Sequence, residues 1–158
     1  MRYDCTDVRR QDRLLDEERA RELLRAGEYG VLSVATEQGG YGVPINYAAV
    51  GSTIYFHCAP EGRKLRALNG DSRVSFCVVG HKRIVPEEFT TEFESVIAFG
   101  RARVVEMEDE RRKALRAIVE KYASEHLEEG LKAIERSLHR TAVVAIEVDS
   151  FSGKRKRV

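Results

Sequence analysis

The sequence predicts an α+β domain built around an antiparallel, barrel-like sheet. Short runs with strand periodicity follow one another between Tyr29 and Glu106, separated by glycine and proline turns. The helical patterns are few and fall between groups of strands, rather than alternating with single strands as in a βαβ fold. No GxGxxG or GxxxxGKS/T loop points to a Rossmann or P-loop site.

The 158 residues suit one domain spanning 1–158, large enough to bury a core without metals or disulfides. Hydrophobic residues at 42% and charged residues at 34% favour a folded chain over a disordered one. Lys and Arg number 27 against 26 Asp and Glu, so bulk charge gives no reason to expect nucleic acid or an anionic membrane as partner. The N-terminus lacks the apolar core of a signal peptide, and no apolar run is long enough to cross a bilayer. A cytoplasmic protein is expected. Cys5, Cys58 and Cys77 form neither a framework nor a CxxC pair, which predicts reduced, non-ligating thiols and no metal site.

Residues 1–14 are mostly charged and polar and read as an extended arm outside the core. Asp16-Glu17-Glu18 places acids in a first helical turn, where they favour the macrodipole. Leu15, Ala20, Leu23 and Leu24 give that helix an apolar face, and Gly27 stops it. Tyr29 to Thr36 reads as a strand, and Gln38-Gly39-Gly40 as a turn. Tyr41, Val43, Ile45 and Tyr47 then alternate with Gly42, Pro44, Asn46 and Ala48, which is strand periodicity. Gly51-Ser52 predicts a tight hairpin into a strand from Thr53 to Cys58.

Pro60-Glu61-Gly62 breaks the pattern before a short helix from Arg63 to Leu68, and Val74 to Val79 returns to strand. The polar stretch Gly80 to Thr90 reads as a loop, and Phe93 to Glu106 as a long strand bent at Gly100. Asp109 is placed to cap a helix from Glu110 to Tyr122, with Leu115, Ile118, Val119 and Tyr122 on one face. Leu131, Ile134 and Leu138 suggest a further helix. Thr141 to Val148 is the last strand, and Lys154 to Arg157 reads as a solvated terminus.

Four places can carry chemistry. In Val43-Pro44-Ile45-Asn46-Tyr47, the proline cannot donate to a ladder and points to an edge position. Free backbone groups there suit the rim of a planar heterocycle, although the residues alone fit an ordinary edge strand better. His57 to Lys64 ends a strand, turns at Gly62 and opens a helix with two cations. That arrangement suits a phosphate or is a solvated basic turn. His57 lies on the face of Tyr55, opposite Phe56 and Cys58, and fits a cofactor or proton-transfer role as well as a hydrogen-bonded structural one. Its neighbour Cys58 points the other way, which argues against a shared metal. Ser95 interrupts an apolar strand and is either a ligand contact or a solvent-facing hydroxyl. No Ser/His/Asp set, carboxylate pair or HExxH is assignable, which suits chemistry supplied by a bound cofactor.

Taken in order, Arg9-Arg10-Gln11-Asp12-Arg13, Tyr29-Gly30-Val31-Leu32-Ser33, Val43-Pro44-Ile45-Asn46-Tyr47, Ile54-Tyr55-Phe56-His57-Cys58-Ala59, Gly62-Arg63-Lys64, Val74-Ser75-Phe76 and Glu94-Ser95-Val96 form a recognisable series. It resembles the nitroimidazole-resistance (Nim) type members of the pyridoxamine 5′-phosphate oxidase-like, FMN-binding split-barrel superfamily. The resemblance implies a six-stranded antiparallel split β-barrel with flanking helices, paired as a homodimer with FMN near the subunit interface. It implies that Pro44, Ile45, Asn46 and Tyr47 contact the isoalloxazine ring. It implies that Arg63 and Lys64 hold the phosphate, with Gly62 allowing close approach. Ser95 and Val96 would complete the pocket, from the other subunit where the dimer requires it. His57 inherits a cofactor- or substrate-binding role and is the catalytic candidate. One departure is Cys58, where the residue after the histidine is commonly glycine.

The implied activity is FMN-dependent reduction of a small electron acceptor, such as the nitro group of 5-nitroimidazole antibiotics. The alternatives are a flavin- or haem-binding carrier or sensor with little turnover, and a pyridoxamine 5′-phosphate oxidase-like activity. The last fits less well, because the resemblance follows the Nim branch.

Overall fold

The computed structural model describes residues 1–158. Its strands are β1 (Arg2–Tyr3), β2 (Gly30–Thr36), β3 (Gly39–Ile45), β4 (Ala48–Val50), β5 (Thr53–Cys58), β6 (Arg73–Val85), β7 (Thr90–Val104) and β8 (Ala142–Lys156). Its helices are α1 (Glu17–Ala26), α2 (Arg63–Gly70), α3 (Glu108–Tyr122) and α4 (Leu127–Ser137).

Alternation along the strands sets the two faces of the sheet. In β6, Val74, Phe76 and Val78 are buried, while Ser75, Cys77 and Val79 point the other way. In β7, Val96 and Ala98 turn inward, and Ser95, Ile97 and Phe99 turn outward. The inward set joins Leu32, Ile54, Phe56, Val144, Ile146 and Phe151 in the main core, which α1 covers with Ala20, Leu23 and Leu24 and α2 with Leu65 and Leu68. Each fully buried aliphatic or aromatic side chain of this kind contributes about 1.5–3 kcal/mol.

The strands pair in the order β3-β2-β6-β7-β8-β5-β4, with β1 added in parallel beside β8. The two ends of that order, β3 and β4, are consecutive in the chain and separated by Asn46 and Tyr47 alone. So short a link spans at most about 11 Å. The sheet must therefore curl until its edges almost meet. No ladder joins β3 to β4, so the barrel stays split at this crossing. The outcome is the α+β split barrel expected, with two short strands, β1 and β4, beside its six main ones.

β8 explains the second core. Val143, Val144, Ala145 and Ile146 are all buried in sequence. Val144 and Ile146 face the barrel, while Val143 and Ala145 pack with Ala114 and Leu115 of α3 and Ile134 of α4. A strand covered on both faces needs a continuous apolar run, and the sequence has one.

Several elements differ from expectation. Gly80 to Val85 is not a loop, because β6 continues through it and pairs with β7 after an irregularity between Val79 and Lys82. Of this arm only Val85 is buried, so its sequence is nearly as polar as a loop's. The tail through Lys156 is strand, not solvated coil. Arg157 is held by Glu94 at 2.6 Å, and the Val158 N–H donates to Glu92 at 2.9 Å. The N-terminal arm is also tied down: Met1 and Tyr3 pack against the main core, and the Tyr3 hydroxyl donates to the Leu15 carbonyl. α3 starts at Glu108, two residues before the expected Glu110, with Met107 rather than Asp109 at its N-cap. The bend in β7 does fall at Gly100, where the register with β8 shifts. A Cβ there would overlap the Glu147 carbonyl oxygen.

Candidate functional site

The site is built where β5 ends. Gly62 caps α2 with φ +143°, a region open to glycine and strained for other residues. No side chain caps the helix, and its first turn contains no acid. Its leading N–H groups are left to solvent or to an anion. Gly62, Arg63, Lys64 and Leu65 line a cleft of about 130 Å³, with Tyr41 of β3 and Cys58 of β5 opposite and Glu61 at the rim. The Arg63 guanidinium sits 5.3 Å from the centre of the Tyr41 ring, and the Lys64 ammonium 6.0 Å from that of Phe56. This donor set, two cations and free N–H groups around a glycine, fits a phosphate monoester or diester.

Cys58 faces this cleft. Burial pushes its thiol pKa up, with the Lys64 charge opposing, so it stays protonated at neutral pH. His57 lies on the opposite face of β5 and is exposed. Lost hydration and then the Lys64 charge lower its pKa, which leaves the imidazole neutral at pH 7. The structure thus brings Gly62, Arg63 and Lys64 together and sets His57 beside their charge, outside the cleft wall.

Pro44 sits on an edge strand, as its missing donor requires, and pairs with Val31 of β2. The other side of β3 carries no strand. Pro44 and Asn46 are exposed, and Ile45 packs against the core. Tyr47 is different. It is wholly buried, its hydroxyl donates to the Leu24 carbonyl at 2.6 Å, and its ring meets Phe76 edge-on at 4.8 Å. Its side chain is a core post, on the same face of the chain as Tyr41 and Ile45. Val96 is likewise fully buried, and only its backbone can reach a ligand.

Ser95 faces outward, opposite Val79 on one side and Lys154 on the other. Three strand spacings separate β7 from β3, about 14 Å, so one chain does not place Ser95 beside Pro44.

Residues that sequence reasoning did not single out include Tyr41, in the cleft wall under Arg63, and Lys121. The Lys121 Nζ is buried with no hydrogen-bond partner and lies 3.7 Å from the Tyr47 ring centre. Lost hydration pulls its pKa down to about 8. Tyr41 had a readable signal in its alternation with Val43. A lysine at the end of an amphipathic helix gave none.

Comparison with known proteins places these features in context. The family model described as pyridoxamine 5′-phosphate oxidase matches residues 16–155. No curated protein matches the chain. Among solved structures, a candidate 5-nitroimidazole antibiotic resistance protein from Bacteroides thetaiotaomicron is 21% identical with a TM-score of 0.73, covering 90% of this chain and 86% of its own. An FAD and haem binding protein from Mycobacterium smegmatis is 20% identical with a TM-score of 0.78, covering 90% and 72%. An FAD-binding protein from Mesorhizobium loti is 22% identical with a TM-score of 0.64, covering 92% and 98%. At these identities the likeness is one of fold.

Proposed function

The chain belongs to the pyridoxamine 5′-phosphate oxidase family, and from that premise we propose that it is an FMN-dependent oxidoreductase that passes electrons to a small acceptor, such as the nitro group of 5-nitroimidazole antibiotics. The observation that carries the reading is the cleft at Gly62-Arg63-Lys64, a phosphate-type donor set on the same barrel as an unpaired β3 edge.

When bound, the flavin supplies the electron and hydride chemistry. The residues of the chain hold and orient it. Lys64, Arg63 and the first N–H groups of α2 take the phosphate, and Gly62 lets the backbone approach it. The β3 edge from Pro44 to Asn46 offers free backbone groups to the ring. His57, neutral and exposed, is assigned to the acceptor, where an imidazole can hold or hand on a proton. Cys58 stays a thiol and does not compete as a nucleophile.

Ser95 and the backbone of Val96 are assigned to the site of a second copy. The outward face of β6 and β7 supports a homodimer: Val79, Ile97 and Phe99 are 52%, 40% and 53% exposed in one patch. No helix is long and apolar enough to cross a membrane, and we assign the protein to the cytoplasm.

The test is an absorbance spectrum of the purified protein after incubation with FMN and removal of free ligand, followed by chemical reduction and addition of a nitroimidazole. A retained two-band flavin spectrum that bleaches and is restored by the nitro compound supports the reading. Retention without acceptor-specific reoxidation favours a flavin carrier instead. The exposed, unpartnered His57 leaves room for haem carriage as well, which a Soret band would reveal.

A further inference from the structure

Two segments that the flavin reading leaves unused come together at one end of the barrel. The first is the arginine motif Arg9-Arg10-Gln11-Asp12-Arg13, whose last three residues form a short 3₁₀ turn. The second is the basic run Lys154 to Arg157 that closes β8. The backbone fixes their meeting. The Leu15 N–H donates to the Gly153 carbonyl at 3.0 Å, and Leu14 forms a β-bridge with Lys154. The approach is close enough that a Cβ on Gly153 would overlap those of Leu15 and Ala20.

Between the two segments lies a cleft of about 480 Å³, within the roughly 300–1,000 Å³ of small-molecule sites. Arg10, Arg13, Arg155, Lys156 and Arg157 line it, and Asp12 is its one carboxylate. No apolar side chain lines it, which excludes a hydrophobic ligand.

These cations are held in place with donors to spare. Asp12 receives Arg10 through Nε, at 2.7 Å, and through Nη2, which leaves Nη1 free. Arg13 comes no nearer to Asp12 than 4.0 Å. Behind the cleft, buried Glu94 receives one nitrogen of Arg157 at 2.6 Å and leaves its other donors. Lys156 donates to the Thr90 hydroxyl. Arg155 is exposed and enters no ion pair. A solvated charge run would let these groups spread apart. Strand pairing and the bridge at Leu14 instead gather them, against their mutual repulsion.

We propose that this cleft binds a pyrophosphate group, free or as part of a dinucleotide, independently of the flavin-phosphate cleft at Gly62 to Lys64. Guanidinium groups pair with phosphate oxygens two at a time, and Lys156 adds a point charge. A single phosphate would leave most of the donors unused, whereas two linked phosphates engage cations from both segments.

Full-length protein is titrated calorimetrically with inorganic pyrophosphate, with orthophosphate and with NADP⁺. The wild-type protein binds pyrophosphate at least about tenfold more tightly than orthophosphate. Arg155→Ala and Arg13→Ala each weaken pyrophosphate binding about tenfold, Arg155→Lys recovers part of the loss, and Lys64→Ala stays within about twofold. Arg155 is exposed and unpaired, so its variants keep the wild-type thermal midpoint in the absence of ligand. NADP⁺ binding that the same arginine variants weaken makes a dinucleotide the source, and binding of pyrophosphate without NADP⁺ makes it free pyrophosphate. No pyrophosphate binding, equal affinity for the two phosphates, or a loss caused by Lys64→Ala and not by the arginine variants overturns the site. Flavin binding is read separately and stands or falls on its own.

Discussion

The backbone N–H of Tyr47 donates to the hydroxyl of Tyr122 at 3.0 Å, across 75 residues of sequence. The same hydroxyl lies 2.7 Å from the Glu28 carbonyl and 3.1 Å from that of Tyr47. One exposed tyrosine at the end of α3 thus ties down the only link between the two edges of the barrel. Tyr122→Phe removes this tie and leaves the Tyr47 amide without its partner. A loss of about 1–2 kcal/mol is expected in urea denaturation, with faster hydrogen exchange at the Tyr47 amide. Unchanged exchange there would mean that packing of the Tyr47 ring fixes the crossing unaided.

Lys121 sits beside that link and has a pH signature. Lost hydration lowers its pKa to about 8 in the folded protein, whereas an unfolded lysine titrates near ~10.4. Below both values the lysine is charged in both states, and folding bears the full burial penalty. Between about pH 8 and 10.4 the unfolded chain binds more protons, so stability rises with pH. The stability of the wild-type protein relative to Lys121→Met should therefore climb across that window. A flat difference would mean that the rings of Tyr47 and Tyr122 compensate for the lost water.

Glu94 shows the opposite sign. Burial alone would raise its pKa, but hydrogen bonds and charges from Arg19 and Arg157 outweigh that and hold it below the ordinary value. One of its oxygens receives both Arg19 Nε and Nη2, at 3.1 and 2.8 Å, and the other receives Arg157 at 2.6 Å. The two arginines are 40% and 57% exposed, so Glu94→Gln is expected to cost only about 1–2 kcal/mol at pH 7. A depressed carboxylate contributes above its unfolded pKa, near ~4.3, and loses that contribution as pH falls through the folded value. Denaturation of the two proteins should therefore converge in acid. A gap that persists at low pH would assign the loss to packing.

Legibility in the sequence followed burial. Strands with one covered face, such as β2 and the first half of β6, announced themselves by alternation, and the doubly covered β8 by its apolar run. The outer half of β6 and the tail after Val148 did not, because they are held by hydrogen bonds and ion pairs with β7 and bury only Val85, Phe151 and Gly153. The alternation that puts Tyr47 on one face with Tyr41, Val43 and Ile45 was legible, but its full burial was not, because Phe76 and the Leu24 carbonyl that enclose it lie far away in sequence. The cleft at Gly62 to Lys64 was readable because glycine and adjacent cations at a helix start are local features. The clamp on the barrel crossing was not, since Tyr122 lies far from Tyr47 in sequence and looked like one more residue on a helical face.

The central claim is that the Gly62-Arg63-Lys64 turn holds a flavin phosphate, and an equilibrium FMN titration of the wild-type protein, Lys64→Ala and Lys132→Ala tests it most directly. Lys132 lies on α4, outside the cleft. The wild-type protein should bind FMN, Lys64→Ala should bind it about tenfold more weakly, and Lys132→Ala should stay within about twofold. No binding by the wild-type protein, or equal affinities for the two variants, would contradict the assignment.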